Sequence, residues 1–200
     1  MKKFLIIAVI AGYFISCAEK KTAEQPIQNI DTANNTVISF FPVTSFLKGQ
    51  MRQFDSITIS PLHITTIDQK ADSEWLKREQ LKSLLQPFLT PEIAETNLIK
   101  YFKESKFNDQ TLNAITFTYD PITTLPDSIH ILTWNVYVNP LKGNVTKVYM
   151  VKHIIENGQN IIQQLTWQTD QYAEITDLLD KPDGNVEILK QEKFVWNFNQ

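Results

Sequence analysis

The sequence predicts an α+β domain in which N-terminal helices pack on one face of an antiparallel, hairpin-linked β-sheet. Apolar residues recur at helical spacing in the first half of the domain. In the second half they alternate with polar residues, which is the period of a half-buried strand. Turn signals that contain asparagine and glycine separate the alternating segments. Helices followed by hairpin-linked strands are typical of the α+β class.

Three helices are predicted in the first half. Their starts are marked by Pro42, by Asp72 or Ser73, and by Thr90-Pro91-Glu92, a run that combines a cap, an N1 proline and an acidic first turn. Trp75 falls on the second helix. The three apolar stripes are Val43, Phe46, Leu47, Met51 and Phe54, then Leu81, Leu84, Leu85 and Phe88, and finally Ala94, Leu98, Tyr101 and Phe102.

Strands are predicted in one early segment and throughout the second half. The early segment is SITISPLHITTI at 56–67, where Pro61 favours an edge strand or a bulge. Alternation predicts strands over 114–119 and 132–138, and a last strand that contains Val186, Ile188, Phe194 and Trp196. The predicted turns are NPLKGN at 139–144, Asn157-Gly158, and KPDGN at 181–185. One face of the sheet is expected to be apolar and the other to meet water.

The N-terminus has the layout of a secretory signal. Lys2 and Lys3 precede an uncharged apolar run over 4–15, which is shorter than the roughly 20 residues that a transmembrane helix needs. The quartet Phe14-Ile15-Ser16-Cys17 resembles the lipobox of bacterial lipoproteins, although Phe14 replaces the usual leucine. The resemblance implies that Cys17 becomes the new N-terminus and carries a diacylglyceryl thioether and an amide-linked acyl chain of the palmitate type. It also implies that the following Ala18 favours the outer membrane over the inner membrane. An ordinary signal peptide with an incidental Cys17 is the alternative.

The domain organisation follows from this signal. We expect residues 1–16 to be a lipoprotein signal peptide, 17–35 to be the lipidated cysteine and a flexible tether, and 36–200 to be one globular domain. Cys17 is the only cysteine, so no disulfide framework is predicted. The net charge of −3, with no cluster of Lys and Arg, argues against nucleic acid as a partner. The expected partners are the membrane, through the lipid anchor, and a protein of the envelope.

No catalytic or cofactor motif is found, so neither an enzyme nor a cofactor is predicted. His63, His130 and His153 are far apart and lack a second ligand at metal-binding spacing, and His63 and His130 are interpreted as solvent-facing strand residues. Two carboxylates in one cleft are the remaining catalytic option. The candidates, most of which are better explained as turn residues, are Asp109, Asp120, Asp127, Asp170, Glu174 and Asp177. Trp167, Tyr172 and Glu174 form either a glycan-stacking patch or a packed cross-strand group.

The sequence leaves three interpretations of function open. The first is a non-enzymatic, lipid-anchored envelope protein that binds a partner or supports an assembly. The second is a carrier or sensor of an apolar ligand, such as a lipid or an acyl chain, in a sheet-helix cavity lined by Trp134, Trp167 and Trp196. If these tryptophans converge without a cavity, they are simply core residues. The third is a glycan hydrolase, which requires two acids about 5–9.5 Å apart, with Glu174 and Asp177 as the acids to test.

Overall fold

The computed structural model describes residues 40–56, 58–93, 95–182 and 184–197. The predicted signal peptide, Cys17 and the tether over 17–35 lie outside the described residues, as does Ala94. The strands are β1 (Leu62–Ile67), β2 (Lys70–Trp75), β3 (Phe102–Asp109), β4 (Ala114–Pro121), β5 (Ile131–Val138), β6 (Val145–Glu156), β7 (Gln159–Gln168), β8 (Tyr172–Asp180) and β9 (Val186–Val195).

The predicted α+β class is wrong, because one nine-stranded antiparallel sheet dominates the fold. Strand residues account for 50% of the structure and helical residues for 16%. The sheet order is β2-β1-β9-β8-β7-β6-β5-β4-β3. The excess of strand comes partly from β2 and β3, which form the two edges and are exposed along almost their whole length. An edge strand exposed on both faces has no apolar alternation, so its sequence carries little strand signal.

The N-terminal segments are less helical than predicted. The first helix is present as α1 (Val43–Gln53), and its buried residues include Val43, Leu47 and Met51. The second does not start at Asp72 or Ser73, since these residues and Trp75 belong to β2. It is replaced by α2 (Arg78–Leu84) and a 3₁₀ turn (Gln86–Leu89). The third shrinks to the single turn α3 (Glu95–Leu98), because pairing with β4 draws the chain from Phe102 onward into β3.

The hairpins of the second half follow the predicted turns. The segments 139–144, 157–158 and 181–185 connect β5 to β6, β6 to β7 and β8 to β9 respectively. Asn157 and Gly158 have φ of 51° and 77°, the left-handed backbone that a tight hairpin requires. β1 is not the predicted edge strand, because it pairs with β2 on one side and β9 on the other. Pro61 directly precedes β1, so its missing N–H is not required by the ladder.

The core lies on one face of the sheet, referred to here as the inner face, where aromatic side chains meet α1 and the 3₁₀ turn. The Trp167 ring lies 5.4 Å from that of Phe88 and 6.3 Å from that of Phe54. Trp134 stacks on Tyr119 at 4.7 Å between ring centroids, farther along the same face. These contacts, rather than a separate helical layer, hold the N-terminal segments on the sheet.

We expect Trp167→Ala to lower the free energy of unfolding by about 3–5 kcal/mol, because it leaves a cavity in a close-packed core. Urea denaturation followed by circular dichroism measures this change. Trp75→Ala is the control, since Trp75 is 64% exposed, and its effect should be about 1 kcal/mol or less. Equal losses for the two variants would contradict this description of the core.

Candidate functional site

A row of polar side chains crosses four strands on the inner face. Lys152 on β6 pairs with Gln163 on β7, Gln163 pairs with Asp177 on β8, and Asp177 pairs with Lys190 on β9. Directly paired residues of antiparallel strands project to the same face. Trp167 projects there too, since it lies four residues along β7 from Gln163. Lys152, Gln163, Asp177 and Lys190 are referred to below as the polar row.

The polar row lies between two apolar rows. The apolar rows, also defined by cross-strand pairing, are Met150, Leu165 and Ile175 on one side, and Ile154, Ile161 and Leu179 on the other. Lys152, Gln163 and Asp177 are only 3%, 9% and 8% exposed. Taking amide and charged groups out of water costs free energy that an apolar side chain would not. Polar residues at these positions therefore oppose stability, which is typical of a functional site.

The hydrogen bonds of the polar row run toward β9. Gln163 Nε2 donates to Asp177 Oδ1 at 2.9 Å. Lys190 Nζ lies 3.8 Å from Asp177 Oδ2 and 2.9 Å from Glu192 Oε2. Burial by itself would lower the pKa of Lys190, but the Glu192, Asp177 and Glu156 carboxylates offset it and the pKa is raised. In this half of the row, the Lys190 ammonium group is therefore stabilised by two carboxylates, and one of them also holds the Gln163 amide.

Lys152 lies at the opposite, buried end of the polar row. Its Nζ donates to the backbone carbonyl oxygens of Pro87 and Thr90. Within the described ranges no carboxylate lies at salt-bridge distance from this ammonium group. Burial lowers the pKa of Lys152 to about 8. The hydrogen bonds that the structure gives to this buried cation are both to neutral oxygen atoms.

A second cluster extends the polar surface onto β1 and β2. His63 Nε2 lies 3.1 Å from Glu192 Oε1 and 3.1 Å from Thr65 Oγ1. Its Nδ1 lies 3.5 Å from Glu74 Oε1, and its ring stacks on Phe194 at 4.6 Å. The interpretation of His63 as solvent-facing is wrong, because the residue is only 7% exposed.

The His63 surroundings have the residue types of a nucleophile, a base and an orienting acid, namely Thr65, His63 and Glu74. A base must accept the hydroxyl proton on Nε2. Here the Glu192 carboxylate, which only accepts hydrogen bonds, faces the same nitrogen and favours a proton already bound there. The geometry therefore supports a structural connection between β1, β2 and β9 rather than an activated nucleophile.

A cavity of about 480 Å³ opens beside Lys152. Its apolar walls include Pro87, Pro91 and Ile154, whereas Lys152 and Gln163 contribute polar groups. The volume lies within the range of about 300–1,000 Å³ that is typical of small-molecule sites.

The wall of this cavity formed by residues 86–93 is fixed at both ends. Phe88 is buried against Trp167, and the Ile93 N–H donates to Thr44 Oγ1 of α1 at 2.8 Å. The hydrogen bonds from Lys152 hold the middle of the segment. The cavity is thus preformed in the folded chain.

The three tryptophans proposed to line a ligand cavity are core residues. Trp134 packs with Tyr119, Phe40 and Phe102, whereas Trp167 lies in a separate group with Trp196, their ring centroids 5.1 Å apart. None of the three lines the cavity beside Lys152. Trp167 is also unavailable for the proposed glycan patch, because Tyr172 and Glu174 project from the opposite face.

Glu174 and Asp177, the two acids proposed for a glycan hydrolase, do not share a face of the sheet. Glu174 and Asp177 are three residues apart in β8 and so lie on opposite faces; Glu174 accepts a hydrogen bond from Gln191 at 3.0 Å. Asp109 accepts the Leu112 N–H at 3.0 Å, the turn role that its sequence indicates. Asp127 and Asp170 also lie in turns, and Asp120 accepts the Thr133 hydroxyl at 3.1 Å. Of the three histidines, His130 is exposed at the rim of the cavity, and His153 lies in β6.

Of the residues in these two clusters, only Asp177 was a site candidate in the sequence, as a catalytic acid, and His63 was interpreted as solvent-facing. The sequence pattern did not indicate Lys152, Gln163, Lys190 or Glu192 as site residues. A signal was available on β6 and β7, since Lys152 and Gln163 each interrupt an otherwise apolar alternation, as Gln163 does between Ile161 and Leu165. On β9 the signal is absent, because Lys190 and Glu192 follow one another on the same face. These residues become a site only when the pairing register aligns them.

Comparison with protein-family models, with curated proteins and with solved structures finds no match to this chain. None of the helices formed by the described residues has the length and hydropathy of a transmembrane span. In the same part of the chain, no group of three or more His, Cys, Asp or Glu residues is arranged to hold a metal ion.

Because Lys152 is buried, the free energy of unfolding should rise with pH. Its pKa in the folded protein, about 8, is below the usual 10.5, so between these values the unfolded chain binds more protons than the folded one. From about pH 7 to about pH 9.5, the wild type should gain about 2 kcal/mol of unfolding free energy relative to Lys152→Met. Urea denaturation at each pH measures the difference, with Lys142→Met, in an exposed turn, as the control. A difference in unfolding free energy between the wild type and Lys152→Met that does not change with pH would contradict a buried charge at Lys152.

Proposed function

We propose that this chain is a non-enzymatic, lipid-anchored binding protein of the cell envelope, with its binding site at the polar row and the adjoining cavity. The observation that carries the proposal is that Lys152, Gln163 and Asp177 of the polar row are buried between two apolar rows beside a preformed cavity. Small-molecule sites combine apolar walls with a few fixed polar groups in this way. The proposed outer-membrane anchor is supported by the lipobox-like quartet that ends at Cys17.

Binding accounts for the site better than catalysis does. Gln163 lies between Lys152 and Asp177, so the cation is separated from the nearest acid of the row by a neutral amide. Asp177 in turn is hydrogen-bonded to Gln163 and lies near Lys190, which fixes it as an acceptor. Fixed donors and acceptors of this kind orient a ligand, whereas general acid and base chemistry needs groups free to exchange protons with it.

Replacing the cysteine tests the anchor. We expect Cys17→Ser to move the protein from the membrane fraction to the soluble fraction, because a serine cannot carry the thioether-linked acyl chains. Fractionation of cells followed by immunoblotting measures the distribution. Thr22→Ser leaves the quartet intact and should behave as the wild type. Membrane association of the Cys17→Ser protein equal to that of the wild type would contradict the anchor.

Two acid-to-amide substitutions on β8 test the binding site, because they differ in the face that they alter. Asp177→Asn changes the inner-face polar row, and Glu174→Gln changes the outer face. We expect Asp177→Asn to reduce the amount of ligand that co-purifies from cells about tenfold, because a neutral side chain at 177 holds the Gln163 amide and the Lys190 ammonium group less firmly. A tenfold loss corresponds to about 1.4 kcal/mol of binding free energy. Native mass spectrometry measures bound ligand, and circular dichroism establishes that both variants are folded. Equal retention of ligand by the two variants would place the site elsewhere.

A further inference from the structure

The cavity beside Lys152 has one cation and mostly apolar walls. Pro87, Pro91 and Ile154 supply the apolar surface, and the cation is the Lys152 ammonium group. Because Lys152 is only 3% exposed, its position is called the inner end of the cavity. His130 lies at the exposed rim. A ligand that fills this space must therefore have an apolar body and a polar end.

The charge at the inner end is positive and uncompensated. The acidic member of the polar row, Asp177, is occupied by Gln163 at 2.9 Å and by Lys190 at 3.8 Å. Lys152 donates to two backbone carbonyls, and an ammonium group has three N–H donors. No salt-bridge partner of Lys152 is found in the part of the chain that the structure describes. One donor of a buried cation is thus available to an anion.

The donors at this end suit a monoanion. A carboxylate needs one or two hydrogen bonds from a cation or an amide, and Lys152 and Gln163 both line the cavity. A dianionic phosphate needs more donors than this pair provides, and such sites are usually built from several backbone N–H groups.

We propose that the cavity binds a small organic carboxylate with an apolar body, whose carboxylate pairs with Lys152 and whose body lies against Pro87, Pro91 and Ile154. This inference rests on the proposed function and names the chemical class of its ligand. Carboxylate binding supplies the counter-charge that Lys152 lacks, and burial of the apolar body against the walls adds a favourable hydrophobic contribution.

The test is calorimetric titration of the full-length protein, carrying Cys17→Ser, with three probes. Hexanoate has both the carboxylate and the apolar body, 1-hexanol lacks the charge, and acetate lacks the body. We expect hexanoate to bind at least about tenfold more tightly than either of the other probes. Lys152→Met should weaken hexanoate binding by at least about tenfold. Lys147→Met removes a lysine of the same strand that projects to the outer face, and it should leave binding unchanged.

A second variant keeps the test decisive if Lys152→Met does not fold. Ile154→Trp fills the cavity, leaves Lys152 in place, and should also abolish hexanoate binding. The inference would be overturned if the wild type did not bind hexanoate, or if it bound 1-hexanol equally tightly. It would also be overturned if neither cavity variant weakened hexanoate binding. If hexanoate fails while Asp177→Asn still loses the cellular ligand, only the carboxylate class is rejected. If both experiments fail, the polar row is not a binding site.

Discussion

The pairing register of β6, β7, β8 and β9 controls every property of the proposed site. The tight turn at Asn157 and Gly158 begins a ladder in which Glu156 pairs with Gln159, and from there Lys152 is opposite Gln163. A shift of one residue in either strand would move its side chains to the other face. The apolar residues on both sides of the polar row oppose such a shift, because it would expose them to water. The groups that surround the site therefore also align it.

The aromatic core provides the stability that allows a buried polar row. Trp167, Phe88 and Phe54 fill the space between the sheet and α1, and large buried aromatic side chains contribute strongly to the hydrophobic term. The same contacts fix residues 86–93, whose carbonyl oxygens receive the Lys152 ammonium group. Stability and binding thus use different rows of one face. The apolar rows stabilise the fold, and burying the charges and amides of the polar row costs part of that stability.

Local patterns were sufficient for several interior strands and insufficient for the edges and the site. The strands over 114–119 and 132–138, the turns at 139–144, 157–158 and 181–185, and α1 could be predicted because each has its own periodicity or turn chemistry. β2 and β3 could not, since exposed edge strands lack alternation and form only because β1 and β4 offer pairing partners. For Trp134, Trp167 and Trp196, the sequence pattern does not distinguish core residues from residues that line a cavity, because that difference depends on three-dimensional packing. The polar row depends on the pairing register between neighbouring strands, which cannot be read from the sequence of any single strand.

The most direct test of the account is the stability of a protein in which the two central residues of the polar row have been made apolar. The double variant Gln163→Leu, Asp177→Leu removes both partners of the hydrogen bond between these residues, so neither partner is left unsatisfied. If the pair is kept for binding, the free energy of unfolding of the double variant should be equal to that of the wild type or higher by about 1 kcal/mol or more. A loss of about 2 kcal/mol or more would show that the polar row holds the fold together and would contradict its assignment as a binding site.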